Sequence, residues 1–453
     1  MKTSSPVALS LVVLSGLALH VQAQNPTGDA ITRPRTVASQ TPIQEKPSQK
    51  AEPVAPKIPT VPVNVAPPPP ISSNPGGSPG GTSVVPQVTP AEAKSSLPGT
   101  TSRLLAPSFA RTRIAEAERL LKSRPLQTAM TLPSIEFVTL AALEPTSAHI
   151  HLITLSKETF LTRGAETTLT SSLGTPLTVR VLRANGVNTA VTIFDPMGHS
   201  LVPLVVEFPI EKRGVFREMA YYTSAHPALL STDLVRAGQT YVSLMIDLAA
   251  KRLREKGSFI SPQIVDVAMR LCLVEHVDHE RFRVENRAAL FDEIYSLYAL
   301  NEIDTYRYSV STAGAGGMVQ MIPWAYNLIR QRHPAVGLNP DFVTGMRNHT
   351  NALQAMLLYM QDTWNDLAAN EDVQSALSSK LATQTELLAA GYNSNAARLP
   401  LYLRRGGSAW RTLIPRETQM YLQIYKTVDS LVPMKARPVA EPTSSGAISG
   451  SLQ

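Results

Sequence analysis

The chain has 453 residues, enough for two domains with tails, and its formal net charge is +7 at pH 7. A mild basic excess fits an anionic cell-wall or membrane surface. No basic run is interleaved with aromatic residues, so we expect no nucleic-acid partner. The single cysteine, Cys272, excludes an internal disulfide. The composition therefore excludes a disulfide-stabilised scaffold and disfavours a nucleic-acid-binding protein.

Residues 1–23 are typical of a secretory signal peptide. Lys2 supplies the positive end, residues 7–19 are apolar, and Val21-Gln22-Ala23 offers the small residues that a signal peptidase requires. We expect cleavage after Ala23. The apolar run is too short for a membrane anchor, and no second long apolar segment follows it. The sequence therefore predicts a periplasmic or secreted protein without a membrane span.

Residues 24–105 are rich in Pro, Ser, Thr, Ala and Val. Stretches such as the four prolines at 67–70 and the Pro-Gly repeats at 74–81 disfavour both helices and β-ladders. We interpret this segment as a disordered Pro-rich tether that gives the folded part reach. Residues 431–453 are expected to form a disordered tail.

Residues 106–237 are expected to combine one helix with a small, mainly β domain. Residues 107–124 have the apolar spacing of an amphipathic helix. Later segments alternate or are rich in β-branched residues, and Asn185-Gly186 between two of them is a hairpin signal. A sandwich is one arrangement for such strands, and the domain is a candidate docking surface for a cell-envelope protein partner. The expected strands are residues 135–140, 149–155, 177–182 and 190–194.

Residues 238–430 are dominated by helical periodicity. Ser261-Pro262 is typical of an N-cap followed by proline at the first helical position, and an apolar helix runs from there to Glu275. The sequence therefore predicts an α+β protein in which an all-α domain follows the small β domain. The expected helices cover residues 241–256, 264–275, 287–300, a segment through 330, 348–367 and further segments to 428.

Small residues crowd the segment from Val310 to Pro323, where the backbone must pass close to a neighbour or a ligand. This segment and the later segments 389–395 and 414–421 resemble, in the right order, three motifs of the soluble lytic transglycosylases. Members of that family share the goose-type lysozyme fold and cleave the glycan strands of peptidoglycan. The resemblance implies a lysozyme-like fold for the helical domain and does not cover the β domain or the tether. The substrate-binding residues that it implies are Ser311, Gly314, Ala315, Gly317, Gln320, Tyr392, Asn393 and Glu417.

The resemblance also implies a glutamate as proton donor, and the sequence offers two candidates. Glu275 ends an apolar helix, and apolar surroundings suit a proton donor. This assignment requires residues 276–310 to be an insertion with its own helix. Glu302 has the spacing to Ser311 that is common in the soluble enzymes, but its neighbours are polar. We favour Glu275 slightly and keep Glu302 as the alternative.

A polar cluster follows Glu275 at residues 276–280 and contains two histidines. The sequence offers no distant third ligand for a metal ion, so we expect these residues to support Glu275 or to form an ordinary loop. We expect neither a metal nor a cofactor.

By this resemblance the chain is an exported enzyme that cleaves the β-1,4 bond between MurNAc and GlcNAc. A single glutamate acts as acid and then as base, and the 6-hydroxyl of the sugar replaces water, which leaves a 1,6-anhydro end. Peptidoglycan glycan strands are the expected partner. Two alternatives stay open: a hydrolytic lysozyme of the same fold, and a non-catalytic wall-binding or assembly protein that keeps the fold.

Overall fold

The computed structural model describes residues 104–124, 134–311, 313–435 and 437. The expected signal peptide lies outside these residues, as do nearly all of the expected tether and most of the expected tail. Within the described residues, no helix is both long enough and apolar enough to cross a membrane.

An amphipathic helix opens the described part of the chain, as the sequence predicts. Helix α1 spans Pro107–Ser123, and proline occupies its first turn, where a missing N–H costs nothing. Ala110, Ala117 and Leu121 are fully buried on one face. That face packs on the strands β1, Phe137–Leu143, and β6, Ser200–Lys212.

Seven antiparallel strands form one sheet. The strand order is β2-β1-β6-β5-β4-β3, and β7 pairs with the same edge of β6 as β5 does, further along that strand. A hydrogen bond of 2.9 Å from Ser172 N to Leu152 O links the two ends of this order. The sheet therefore curls into a barrel-like shape, and the sandwich of two separate sheets is wrong. Besides β1 and β6, the strands are β2 Ile150–Ser156, β3 Glu166–Thr170, β4 Pro176–Arg183, β5 Ala190–Phe194 and β7 Val215–Tyr222.

The alternating sequence of β4 explains how the sheet buries one face. Leu177, Val179 and Val181 are each 1% exposed, whereas the residues between them face outward. Phe160 and Phe208 fill the same core with tilted rings 6.2 Å apart. The expected hairpin between β4 and β5 is confirmed, although a short 3₁₀ turn follows Asn185 in place of a two-residue turn.

Helices predominate in the described residues after β7, and the α+β prediction is confirmed at this level. Ser261 caps α4 through its hydroxyl, which accepts the N–H of Ile264. The long helix α3 begins at Thr232 and therefore runs across the expected domain boundary between residues 237 and 238. The division of the chain into two domains at this boundary stays a prediction. The helices are α2 Lys157–Phe160, α3 Thr232–Glu255, α4 Pro262–Val274, α5 His279–Val284, α6 Arg287–Asn301, α7 Pro323–Arg332, α8 Phe342–Arg347, α9 His349–Ala368, α10 Glu371–Ser378, α11 Gln384–Asn393, α12 Leu399–Gly406 and α13 Arg416–Leu431.

The sheet and the helices pack against each other through α6. Leu297 of α6 is buried in the core of the sheet, and Arg183 of β4 forms an ion pair of 2.9 Å with Glu293. On its other side α6 packs on α3 so closely that a Cβ on Gly238 would lie 1.8 Å from the carbonyl oxygen of Tyr295. Helix α6 therefore connects the β-rich part to the helical core.

Candidate active site

Glu275 lies at the carboxyl end of α4, in an apolar environment. It is the C-cap residue, it is 7% exposed, and its N–H donates to the carbonyl of Leu271 at 3.0 Å. Burial, together with the nearby charge of Glu275, raises the pKa of the Cys272 thiol to about 12. Cys272 therefore stays a neutral thiol beside the buried carboxylate of Glu275.

The hydroxyl of Tyr421 donates a hydrogen bond of 2.6 Å to Oε1 of Glu275. Tyr421 is 1% exposed and belongs to α13. The sequence motif that ends at Tyr421 pointed to this helix, yet a role for this side chain was missed. The signal was its place one turn after Glu417, which puts both residues on one face of the helix.

Tyr392 of α11 ties this helix to the segment that follows Met318. Its hydroxyl donates to the carbonyl oxygen of Val319 at 2.7 Å. Burial raises the pKa of Tyr392 well above 10, and the charge of Glu275 contributes to that rise. Tyr392 therefore remains a neutral donor within electrostatic reach of Glu275. Asn393 follows it at the end of α11 and is 6% exposed.

Ser311, Gly314 and Ala315 form a tight turn beside these helices. The Ser311 hydroxyl accepts the N–H of Ala315 at 3.0 Å, and the Ser311 carbonyl accepts the N–H of Gly314 at 2.9 Å. A second backbone bond of 2.9 Å runs from Ser311 N to Ala315 O. The Ser311 side chain therefore shapes the turn, and we call residues 310–311 and 313–321 the glycine turn.

Gly317 sits where the glycine turn is most crowded. Its φ of 68° is left-handed, and a Cβ there would lie 2.3 Å from the carbonyl oxygen of Met346. Gln320 adopts φ 46°, and its amide nitrogen donates to the Gly317 carbonyl at 2.7 Å and to the Ser309 hydroxyl at 3.2 Å. A left-handed non-glycine residue persists only where its surroundings enforce it. The Gln320 side chain thus braces the turn from within in this structure.

His276 connects Glu275 to the glycine turn. Its Nε2 donates to the carbonyl oxygen of Met318 at 2.8 Å, and its ring stacks on Tyr306 with 3.4 Å between centroids. Asp278 caps α5 by accepting two backbone N–H groups. The polar cluster after Glu275 thus positions the helix end and the turn. Within the described residues, no group of three potential metal ligands comes together.

Glu302 lies at the end of α6, in different surroundings. It is exposed, and its backbone angles are φ 45° and ψ −117°. The preceding residue, Asn301, is held by the β-rich part, since its side chain accepts from Thr223 N at 2.8 Å and donates to Thr223 O at 2.9 Å. Glu302 therefore lacks the buried setting of Glu275.

Glu417 lies in the first turn of α13 and is half-buried. A carboxylate at this position interacts favourably with the partial positive charge of a helix N-terminus. Four segments thus converge: the end of α4, the glycine turn, the end of α11 and the start of α13. Glu302 does not share the setting of this cluster.

No protein-family model, curated protein or solved structure matches this chain significantly. A proposal of function must therefore rest on the sequence motifs and on the arrangement of the site residues.

Proposed function

We propose that the chain is an exported peptidoglycan lytic transglycosylase whose helical part is lysozyme-like, with Glu275 as its acid and base. One observation carries the proposal. The buried carboxylate of Glu275 accepts a hydrogen bond from Tyr421 and lies next to a glycine turn of the kind that the family motif describes. Glu302 is exposed and lacks such a donor within the described side-chain hydrogen bonds.

Cleaving a glycosidic bond requires a proton for a poor leaving oxygen, and a carboxyl group in apolar surroundings is suited to donate it. The first half of the reaction breaks the C1–O4 bond while the Glu275 proton moves to O4. In the second half the 6-hydroxyl oxygen bonds to C1 and its proton returns to Glu275. No water is consumed, so one carboxylate suffices for both halves.

The neighbours of Glu275 have separate roles in this scheme. Tyr421 orients the carboxylate through Oε1, at 2.6 Å. Tyr392 holds the Val319 carbonyl, and His276 holds the Met318 carbonyl, so both tie the glycine turn to the acid. The glycan would lie along this turn, where Ser311 and backbone groups meet its acetamido and hydroxyl groups.

The N-terminal sequence supports the same proposal. A signal peptide and a long Pro-rich tether would deliver the folded part to the periplasm or the cell surface, where peptidoglycan lies. The basic net charge of +7 favours approach to an anionic wall.

Digestion of purified sacculi tests the proposal. We expect the mature protein to release muropeptides that end in 1,6-anhydro-MurNAc, identified by mass spectrometry. Release of reducing MurNAc ends would make the protein a hydrolytic lysozyme, and sacculi that are bound but stay intact would make it a non-catalytic wall-binding protein.

A further inference from the structure

Two segments of the chain hold the glycine turn between them. On one side, the carbonyl of Ser309 accepts the N–H of Gly317 at 3.2 Å. On the other side, the carbonyl of Met346 approaches the α-carbon of Gly317 so closely that no Cβ fits. The relative position of these two segments therefore sets the shape of the turn.

The carboxylate of Glu218, on β7, bridges both segments. Its Oε2 accepts from Arg307 Nη2 at 3.3 Å and from the Tyr308 hydroxyl at 3.4 Å. Its Oε1 accepts from Nη1 of Arg347, the residue after Met346. One side chain of the β-rich part thus joins the two segments that enclose the turn.

The two arginines meet over one aromatic ring. Their guanidinium carbons lie 5.6 Å (Arg307) and 5.2 Å (Arg347) from the centroid of Tyr308. Arg307 also forms an ion pair of 3.5 Å with Asp304. Two like charges over one ring repel each other, so the position of Arg347 depends on Glu218.

We propose that Glu218 is a positioning residue for the glycine turn, through which the β-rich part sets the affinity of the site for glycan. The proposal rests on the proposed function, because it assigns the turn to substrate binding. Glu218 acts through Arg307, Tyr308 and Arg347 and does not itself take part in the chemistry.

The expected effect on affinity exceeds the expected effect on stability. The Glu218 side chain is 30% exposed, and pairs with that exposure contribute little to stability. A displaced binding element loses contacts that the bound substrate and the transition state share, and such a loss raises KM with little change in kcat. Loss of Glu218 should therefore change KM while the protein stays folded.

Steady-state kinetics on soluble glycan strands, combined with thermal unfolding, test this proposal. We expect Glu218→Gln to raise KM about ten-fold and to change kcat by less than about three-fold. Glu218→Asp keeps the charge with a shorter reach, so its KM should be intermediate. The matched control is Glu211→Gln, because Glu211 pairs with Lys157 at 3.1 Å inside the β-rich part. This control should leave KM unchanged and lower the thermal midpoint as much as Glu218→Gln does.

Two results would overturn the positioning role and leave the proposed function intact. One is equal KM values for Glu218→Gln and Glu211→Gln with a wild type that turns over. The other is a lowered kcat with an unchanged KM, which would mean that Glu218 affects the transition state and not the affinity for glycan. A wild type that fails to cleave glycan refutes the proposed function, and the positioning role with it.

Discussion

Helices α4 and α6 are both followed by a glutamate, and the two helix ends differ in what surrounds that glutamate. Glu275 continues α4 with right-handed backbone angles, is 7% exposed and accepts a hydrogen bond from Tyr421. Glu302 breaks α6 with a positive φ, is exposed, and follows a residue bonded to the β-rich part. The same residue type at the same kind of position is thus a buried acid in one place and a surface cap in the other. The local sequence already indicates this difference, and the distant contact from Tyr421 adds to it.

The largest effect that this comparison predicts is on turnover after loss of the buried carboxylate. Glu275→Gln keeps the shape of the side chain but cannot transfer a proton, so kcat should fall about a thousand-fold or more. The variant should still bind sacculi in a sedimentation assay. Turnover within about ten-fold of wild type would remove Glu275 from the mechanism.

The crowding at Gly317 predicts a large effect on stability. Gly317→Ala places a methyl group 2.3 Å from the Met346 carbonyl oxygen at a left-handed φ, so the free energy of unfolding should fall by about 3–5 kcal/mol. Gly337→Ala is the matched control, because Gly337 has φ 66° with no atom within 4 Å. It should lose only about 1 kcal/mol, measured by urea unfolding. Equal losses would show that the glycine turn is less tightly held than the structure indicates.

Acid should weaken the segment that follows Glu302. Burial lowers the pKa of His349 to about 4, although the hydrogen bond of 2.8 Å that its Nε2 donates to Thr305 O opposes this shift. Its Nδ1 accepts from the Tyr241 hydroxyl at 2.9 Å. Because the folded pKa lies below the usual 6.5, this stability is present above pH 6.5 and is lost as the pH falls towards 4. The loss should approach about 3 kcal/mol at the acid end.

Urea unfolding of His349→Gln between pH 7 and 4 measures this contribution. Burial also lowers the pKa of His226 to about 4, so the decline with acid should be roughly halved, not abolished. A variant with the full wild-type decline would mean that His349 does not stay neutral in the folded protein.

The hydrogen bond from Tyr421 predicts a smaller effect on turnover. Tyr421→Phe removes the donor to Glu275 Oε1, so kcat should fall about ten-fold and stability by about 1 kcal/mol. Tyr425→Phe, one turn further along α13 and 3% exposed, is the matched control. It should cost similar stability with turnover within about two-fold of wild type. If both variants reduce turnover equally, the Tyr421 contact has no special role.

The smallest effect is expected at Glu302, and it is a gain. Glu302→Gly places glycine at φ 45° and ψ −117°, so the protein should become more stable by about 1 kcal/mol. Turnover should stay within about two-fold of wild type, because no proton donor is lost. Lys380→Gly at φ 57° relieves a similar strain elsewhere and should give a similar gain in thermal unfolding. Loss of turnover in Glu302→Gly alone would restore Glu302 as the acid.

Local periodicity predicted the long helices and the strands β1, β2, β4 and β5, whereas the strands β3, β6 and β7 were missed. The Ser261-Pro262 signal, the helix after it and the alternation in β4 follow from side-chain spacing, which the sequence contains directly. The curling of the strands into one sheet did not follow from it, since strand pairing between distant segments depends on tertiary register. The sandwich interpretation failed for this reason.

The sequence could nominate residues for the candidate site, but it could not give the hydrogen bonds and packing contacts among them. The order of the motifs indicated Gly317, Gln320 and Tyr392 as candidate residues. The structure explains why position 317 requires glycine, because the carbonyl of Met346 leaves no room for a Cβ. The contact between Glu275 and Tyr421 spans 146 residues of sequence, so no local pattern reveals it. The substrate-binding role of Gln320 stays a prediction, and its left-handed φ and the hydrogen bond from its amide to Gly317 O could not be read from the sequence.

A structure of the Glu275→Gln variant with a bound glycan strand would test the central claim most directly. The decisive quantity is the distance from the side chain at position 275 to the oxygen of the scissile glycosidic bond. We predict about 3 Å, hydrogen-bonding reach, with the glycan lying along the glycine turn. A glycan whose scissile oxygen lies beside Glu302, or one bound away from the glycine turn, would contradict the account.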